Sequence, residues 1–292
     1  MKEKGLIVLN EERMQDEMSV SILGQEWYEF ADGYDTVFLG EQHVIPHPIF
    51  KQDLMKDIAP LQTGGYVLDY THFSIVMSKS RRLAFYTAVN IDGNQQQNIR
   101  REKDNWYYDS RIDRAYQTGP DIYRNNDLDR GHLVRRRDPV WGKRAREANE
   151  DTFHFTNCAP QHKDLNQRTW LDLEDYILDN AVTHQLKVTV FTGPVFKETD
   201  PWYRGIQIPE EFWKIVVMVK QNNRLSATAY LQTQKDFIGS LEFSYGAYQT
   251  YQVAITQIEA VVGLDFGLLR DADPLLGSES SFVIKTGNDI RL

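Results

Sequence analysis

The segment Asp129-Arg130-Gly131-His132 places a histidine, an arginine and a carboxylate side by side. Positive charge beside a histidine penalises its protonation, so we expect His132 to be neutral near pH 7 and able to take a proton from water. Arg130 can hold a phosphate oxygen through charge-assisted hydrogen bonds. The segment therefore suits a general base next to a phosphate-binding group, although four residues of this kind also occur in surface turns.

A second polar pair, Asn166 and Glu174, lies downstream. On a helix, eight positions amount to two turns with about 80° of drift, so both side chains can project from one side, opposite the core face of Trp170 and Leu173. An amide oxygen and a carboxylate are hard donors that suit Mg²⁺, which keeps several waters and needs few protein ligands. Taken singly, each residue is more often an ordinary polar residue of a helix.

Together, the two patterns resemble the DNA/RNA non-specific endonuclease family, the endonuclease G-like ββα-metal nucleases. The motif at residues 129–132 is followed, after about two dozen residues, by a predicted strand ending in Asn157, by Ala159-Pro160-Gln161, and then by Asn166, Trp170 and Leu173-Glu174. Segments 70–74, 88–93, 192–196 and 263–266 look like framework segments of bacterial members. The resemblance covers roughly residues 33–276, and the chain is identified as a bacterial-type member.

The resemblance implies a metal-dependent nuclease that cuts DNA and RNA with little sequence preference and leaves 5′-phosphate ends. It implies that His132 is the general base, that Arg130 contacts the phosphate and that Asp129 braces the loop. It also implies that Asn166 is the one direct protein ligand of Mg²⁺, with Glu174 holding metal-bound waters. Mn²⁺ accepts the same oxygen donors, so the sequence leaves the choice of ion open.

The family also uses an arginine that closely precedes an aromatic residue followed by Asp. Here the aromatic residue is Trp106, with Asp109 after it, but the preceding residue is Asn105. Three nearby basic residues can supply the missing charge, namely Arg101, Lys103 and Arg111. We favour Arg101 for this role, and the sequence does not decide among the three.

An alternative interpretation is a catalytically weak member of the same fold that binds nucleic acid or an inhibitor. The presence of His132, Asn166 and Glu174 together favours an enzyme. The chain lacks a Gly-x-x-x-x-Gly-Lys phosphate loop, a Gly-x-Ser-x-Gly elbow and a His-Glu-x-x-His motif. The chain therefore lacks the motifs that a kinase-like, serine-hydrolase or zinc-protease function needs.

Other candidate residues are better explained by structure. His43 and His47 have a helical metal-ligand spacing, but the intervening and following prolines disfavour a helix, and we predict a loop. His154 is predicted to pack in a strand or at its edge. Cys158 is predicted to be a small buried residue, and a single cysteine excludes an internal disulfide or a thiolate-rich metal site.

The net charge of the chain is −9, from 33 basic and 42 acidic side chains among 292 residues. This acidity argues against a polyanionic partner when it is averaged over the chain. Residues 99–146, which we call the basic strip, hold 13 basic and 8 acidic side chains, so the strip carries +5 and the remainder −14. Such a strip can attract an anion to one face, or it can be plain solvated surface.

The pattern of elements predicts an α+β fold with a central, largely antiparallel sheet and flanking helices, to which the resemblance adds a ββα-metal motif. Strands are predicted at residues 72–77, 83–90, 152–156, 187–192, 212–219 and 224–231. A helix is predicted at residues 165–183, with Asp164 as its cap and with one buried face formed by Trp170, Leu173, Ile177 and Ala181.

We predict an N-terminal extension at residues 1–32 and an endonuclease domain at residues 33–292. The apolar run at residues 5–9 is too short for a secretory signal or a membrane span, so we expect a cytoplasmic protein without a membrane partner. Its expected substrates are DNA and RNA. Because such a nuclease endangers its own genome, we also expect control by an inhibitor, by oligomerisation such as a homodimer, or by export without an N-terminal signal. Residues 1–32 are the candidate segment for that control.

Overall fold

The computed structural model describes residues 22–101, 104–163, 169–234, 250–284 and 289–291, with the side chains of residues 169–172 left out. Its strands are β1 Ile22–Leu23, β2 Ile49–Phe50, β3 Leu68–Tyr70, β4 Phe73–Met77, β5 Ala84–Asp92, β6 Tyr108–Asp109, β7 Leu128–His132, β8 Cys158–His162, β9 Lys187–Val195, β10 Trp202–Tyr203, β11 Ile206–Gln207, β12 Glu211–Val219, β13 Leu225–Thr233, β14 Thr250–Val253, β15 Leu264–Asp265 and β16 Phe282–Ile284. Its helices are α1 Gln52–Met55, α2 Ala145–Asp151, α3 Thr169–Thr183 and α4 Ile255–Val262.

The largest sheet has the strand order β16-β14-β13-β12-β9-β5-β4-β3, and every neighbouring pair in it is antiparallel. Its long strands are β-branched and aromatic runs, which pack well on a pleated surface that is covered on both sides. The strands predicted at 72–77, 83–90, 187–192, 212–219 and 224–231 correspond to β4, β5, β9, β12 and β13. The α+β prediction with a central antiparallel sheet is therefore confirmed.

The sheet separates two hydrophobic cores. Helix α3 packs on one face through Leu173, Ile177, Leu178 and Ala181, and α4 packs on the other through Ile255 and Ile258. Of the predicted helix face, Leu173, Ile177 and Ala181 are buried as expected. The predicted helix start, its cap Asp164 and the side chain of Trp170 lie outside the described residues.

Strands β7 and β8 form a separate antiparallel pair, and α3 follows them in the chain to complete a ββα unit. One local prediction was wrong here. Residues 152–156 do not form a strand ending at Asn157: residues Phe155–Asn157 form a 3-10 turn, and the strand begins at Cys158. Asp129 lies within β7, and its bracing role stays a prediction. The turn forms because the buried side chain of Asn157 bonds the backbone of Thr152 and Val134 instead of pointing from a strand.

Part of the predicted N-terminal extension packs on this core. Strand β1 pairs in parallel with β6, and the buried Tyr28 hydroxyl lies 2.9 Å from Nε2 of His154. Nε1 of Trp27 donates a hydrogen bond to Asp151 at 2.7 Å. Residues 22–28 are thus joined to the core, and the division at residue 32 stays a prediction. Among the described residues, no helix is long and apolar enough to cross a membrane.

Candidate active site

A cleft of about 510 Å³ opens beside β7 and the residues that follow it. Five arginines and three carboxylates line it together with His132 and Trp106: Arg101, Arg130, Arg135, Arg136, Arg137, Asp104, Asp129 and Glu174. All five arginines belong to the basic strip. Because the fold collects them around one concave surface, the cleft favours an anion although the whole chain is acidic.

His132 ends β7 between two aromatic rings. Its ring centroid lies 4.9 Å from that of Trp106 and 5.2 Å from that of Phe153, which meets it edge to face. The side chain is half-buried, and its Nε2 atom is inaccessible and has no hydrogen-bond partner. The rings fix the imidazole in the cleft wall, and this nitrogen, covered in the structure, lacks the partner that a buried nitrogen normally has.

The surroundings of His132 keep it neutral. Burial lowers its pKa to about 3, Arg101 and Arg136 lower it further, and Asp104 opposes them. A charged imidazolium is unfavourable in this place because burial and neighbouring positive charge both penalise it. At neutral pH, His132 therefore presents a proton acceptor.

Arg130 stands two residues earlier on β7, among aromatic side chains. Its guanidinium carbon lies 5.4 Å from the ring centroid of Tyr123 and 5.7 Å from that of Trp106. Its Nε atom is buried without a partner, as is Nη1 of Arg135. Buried donors without partners are rare, and in a basic cleft they are suited to the oxygens of a phosphate group.

The backbone around His132 is held rigidly by β8 and the turn before it. Oδ1 of Asn157 accepts a hydrogen bond from the Val134 amide at 2.9 Å, and its Nδ2 donates to the Val134 carbonyl at 3.0 Å. Gly131 faces the fully buried Gln161, whose Oε1 would lie 2.1 Å from a Cβ at that position. A side chain at residue 131 would therefore have to displace the side chain of Gln161.

Glu174 projects from α3 to the cleft and is 8% exposed, so it does not lie opposite the buried face of the helix as expected but at its margin. Its Oε1 lies 3.2 Å from Nζ of Lys214, and its Oε2 lies 3.8 Å from Nε of Arg135. The nearby Asp138 is also buried. Burial raises its pKa to about 7, Glu174 adds to this shift, and Arg135 and Lys214 oppose it.

The three candidates for the upstream basic residue have different positions. Arg101 lines the cleft and pairs with Asp104. Arg111 is directed into the core, where its Nη2 lies 2.7 Å from Asp109 and its guanidinium covers Tyr28. Lys103 lies outside the described residues. Of the two that the structure describes, only Arg101 borders the cleft.

The expected metal ligand Asn166 also lies outside the described residues. Within the part of the chain that the structure describes, no three His, Cys, Asp or Glu side chains are grouped so that they could hold an ion by themselves. The oxygen donors on the cleft wall, Asp104, Asp129 and Glu174, are nevertheless of the type that Mg²⁺ or Mn²⁺ prefers. The residues present therefore fit a hydrated divalent ion bound by few protein groups.

Sequence reasoning left several cleft residues unassigned, namely Trp106 as a wall of the histidine site and Arg135, Arg136 and Arg137 as part of the basic surface. The signal for the arginines was their position directly after the histidine motif. Residues 43–47 form no helix and Cys158 is fully buried, as predicted. His154 is also fully buried, although the strand predicted around it does not form. Cys158 pairs with His132 across the β7–β8 ladder, and burial raises the pKa of its thiol to about 12.

Comparisons with known proteins agree with this architecture. The sequence model of the DNA/RNA non-specific endonuclease family matches residues 51–272. An uncharacterized protein of Sinorhizobium fredii, y4fB, is 36% identical over 289 residues, which cover 91% of this chain and 43% of that protein. Mitochondrial endonuclease G of Bos taurus is 28% identical over 156 residues, 49% of each protein. The chain thus spans about half the length of these curated relatives.

A solved structure is also similar. The EndoG/EndoGI complex, described as showing the mechanism of EndoG inhibition, contains a chain that matches with a TM-score of 0.57 and 20% sequence identity. The match covers 73% of this chain and 89% of that chain. It supports a shared fold that includes the ββα unit.

Proposed function

Because this chain belongs to the DNA/RNA non-specific endonuclease family, we propose that it is a metal-dependent, sugar-non-specific endonuclease that hydrolyses phosphodiester bonds and leaves 5′-phosphate ends. The observation that carries this proposal is the pair of buried, unpartnered nitrogens, Nε2 of His132 and Nε of Arg130, in one basic cleft. A water molecule and a phosphate oxygen would satisfy both, since buried polar groups are normally hydrogen-bonded.

In this mechanism, neutral His132 accepts a proton at Nε2 from the water whose oxygen attacks phosphorus. Arg130 and Arg135 donate hydrogen bonds to the non-bridging phosphate oxygens, where negative charge grows in the transition state. The bond from phosphorus to the 3′ oxygen breaks, the 3′ oxygen takes up a proton from solvent to become a hydroxyl, and the phosphate stays on the 5′ end. A divalent cation held through Asn166, with Glu174 orienting its waters, would supply charge stabilisation for the leaving oxygen.

The same groups account for a low substrate selectivity. Arginine contacts to phosphate oxygens carry no information about the base or the sugar, so they bind DNA and RNA alike. Arg101, Arg136 and Arg137 add charge along the cleft. Binding of this kind releases counterions and weakens steeply with salt.

The test uses a supercoiled plasmid and a structured RNA, each incubated with Mg²⁺, Mn²⁺ or EDTA. We expect cleavage of both with either ion, none with EDTA, and 5′-phosphate ends in the products. His132→Ala should lower the rate about 10²- to 10⁴-fold, the usual contribution of a general base. His184→Ala, at an exposed position of the chain, is the matched control. Tight binding without cleavage by the wild type would instead favour the catalytically weak, nucleic-acid-binding alternative.

We also propose that the activity is restrained by a partner, either a protein inhibitor or a second copy of the chain. The solved EndoG/EndoGI complex, which concerns the mechanism of EndoG inhibition, supports the inhibitor. Since residues 22–28 pack on the core, residues 1–21 are the part of the predicted extension to delete. If their removal leaves activity, oligomeric state and toxicity on expression unchanged, they have no part in this control.

A further inference from the structure

Lys214 is a lysine buried inside the sheet. It lies in the middle of β12, between β9 and β13, and its side chain is 1% exposed. Neighbouring positions on the same side of β12, Phe212 and Val216, belong to the hydrophobic core beneath α3. A buried ammonium group is costly unless it is paired and hydrogen-bonded, so its contacts must account for its presence.

Lys214 contacts the cleft through Glu174. Its Nζ donates to Oγ1 of Thr192, its register partner on β9, at 3.0 Å. Nζ also donates to Oε1 of Glu174 at 3.2 Å. The second carboxylate oxygen, Oε2, lies 3.8 Å from Nε of Arg135, a residue of the cleft wall. Glu174 is therefore held by the sheet on one side and by the basic strip on the other.

We propose that Lys214 is a positioning residue that fixes the carboxylate of Glu174 at the cleft. This inference rests on the proposed function, in which Glu174 orients the waters of the metal ion. A glutamate side chain has three rotatable bonds, and a helix by itself does not select one orientation of its carboxylate. The sheet supplies that selection, because Lys214 occupies one oxygen and leaves the other directed toward Arg135.

In this proposal, Lys214 does not touch the metal ion but orients Glu174, which orients the waters of the ion. Partners that orient a metal-bound group typically change metal affinity or activity about 10- to 100-fold when they are removed. Lys214 does not line the cleft, so its removal takes away no direct contact with substrate. Apart from its charge, which also acts on the buried Asp138, its effect should pass through Glu174.

The experiment is a double-mutant cycle of Lys214→Met and Glu174→Gln in the full chain. Four quantities are measured for each variant. They are the dissociation constant of Mn²⁺ without nucleic acid, followed by electron paramagnetic resonance, the kcat and the KM of plasmid cleavage, and the Tm. We expect Lys214→Met to weaken Mn²⁺ binding and to lower kcat, each about 10- to 100-fold. In the Glu174→Gln background, the same change should alter neither quantity by more than about twofold, because residues that act through one group are not additive.

The control is Lys187→Met, which removes the same charge from an exposed position at the start of β9. If Lys214→Met does not fold, Lys214→Leu, which also cannot donate to Glu174, takes its place in the cycle with the same criteria. An equal loss of kcat with and without Glu174, or unchanged Mn²⁺ affinity, overturns the role of Lys214 while the proposed nuclease function stands. Full activity and Mn²⁺ affinity in Glu174→Gln would overturn both the role of Glu174 in the proposed function and this inference.

Discussion

The proposed general base should remain active at a pH where an ordinary histidine is protonated. With an unperturbed pKa of about 6.5, a histidine is about 76% neutral at pH 7 and about 3% neutral at pH 5, so the rate would fall about 25-fold. Burial lowers the pKa of His132 to about 3, which leaves the free enzyme almost fully neutral at both values. We therefore expect kcat/KM to change by less than about twofold between pH 7 and pH 5, because kcat/KM reports the free enzyme.

A bound substrate should shift this profile in a defined direction. The phosphate brings negative charge next to His132, and negative charge favours the protonated form. The acid limb of kcat, which reports the complex, should thus lie at higher pH than the acid limb of kcat/KM. Removing the charge of Arg101 by Arg101→Gln should also raise the pKa, because Arg101 is the first of the charges that lower it.

The assay follows cleavage of a fluorescent oligonucleotide from pH 4.5 to pH 8 with saturating Mg²⁺, at substrate concentrations below and above KM. His184→Ala is run in parallel to show that an exposed histidine does not shape the profile. Because Asp138 also has a pKa of about 7, the profile is repeated with Asp138→Asn. A fall of kcat/KM by about 25-fold between pH 7 and pH 5, with a midpoint near 6.5, that persists in this variant would refute the argument from burial. His132 would then be open to water in solution.

Three further predictions concern the frame of the site. Asn157→Ala leaves the Val134 amide and carbonyl without their side-chain partner. The free energy of unfolding, measured by urea titration, should therefore fall by about 3 kcal/mol or more. A loss below about 1 kcal/mol would contradict this prediction. Gly131→Ala should cost about 1–3 kcal/mol by overpacking against Gln161, and the double change with Gln161→Ala should recover most of that loss. Arg136→Ala should reduce the magnitude of the negative slope of log K against log salt for DNA binding by about one. Filter binding at several salt concentrations measures this slope. An unchanged slope would show that Arg136 does not contact the DNA.

The composition of the cleft could be predicted from sequence where the chemistry was local. His132 and Arg130 are neighbours on one strand, and their residue types alone indicate a base beside a phosphate-binding group. Glu174 was found through its order in the chain after the first motif. Asn166, the direct ligand expected from the resemblance, stays a prediction, as do the cytoplasmic location and the identity of the ion.

The remaining features depend on long-range packing. The sequence does not decide whether Arg101 or Arg111 supplies the upstream charge. In the fold they differ, because Tyr28, far away in the sequence, covers the guanidinium of Arg111. Lys214 interrupts an apolar strand, and it is buried because α3 covers that face of the sheet. The sequence pattern gives the alternation of a strand, but the layer that covers each face is decided by the whole fold.

The position of Cys158 makes its thiol a probe of motion at the candidate active site. It is the only thiol of the chain and the direct ladder partner of His132. With its pKa raised to about 12, it is protonated at neutral pH and shielded from alkylating agents and oxidants, since the thiolate is the reactive form. A thiol reagent can therefore modify it only while the packing around Cys158 is open. The labelling rate of this one atom reports how often the support of the catalytic strand opens.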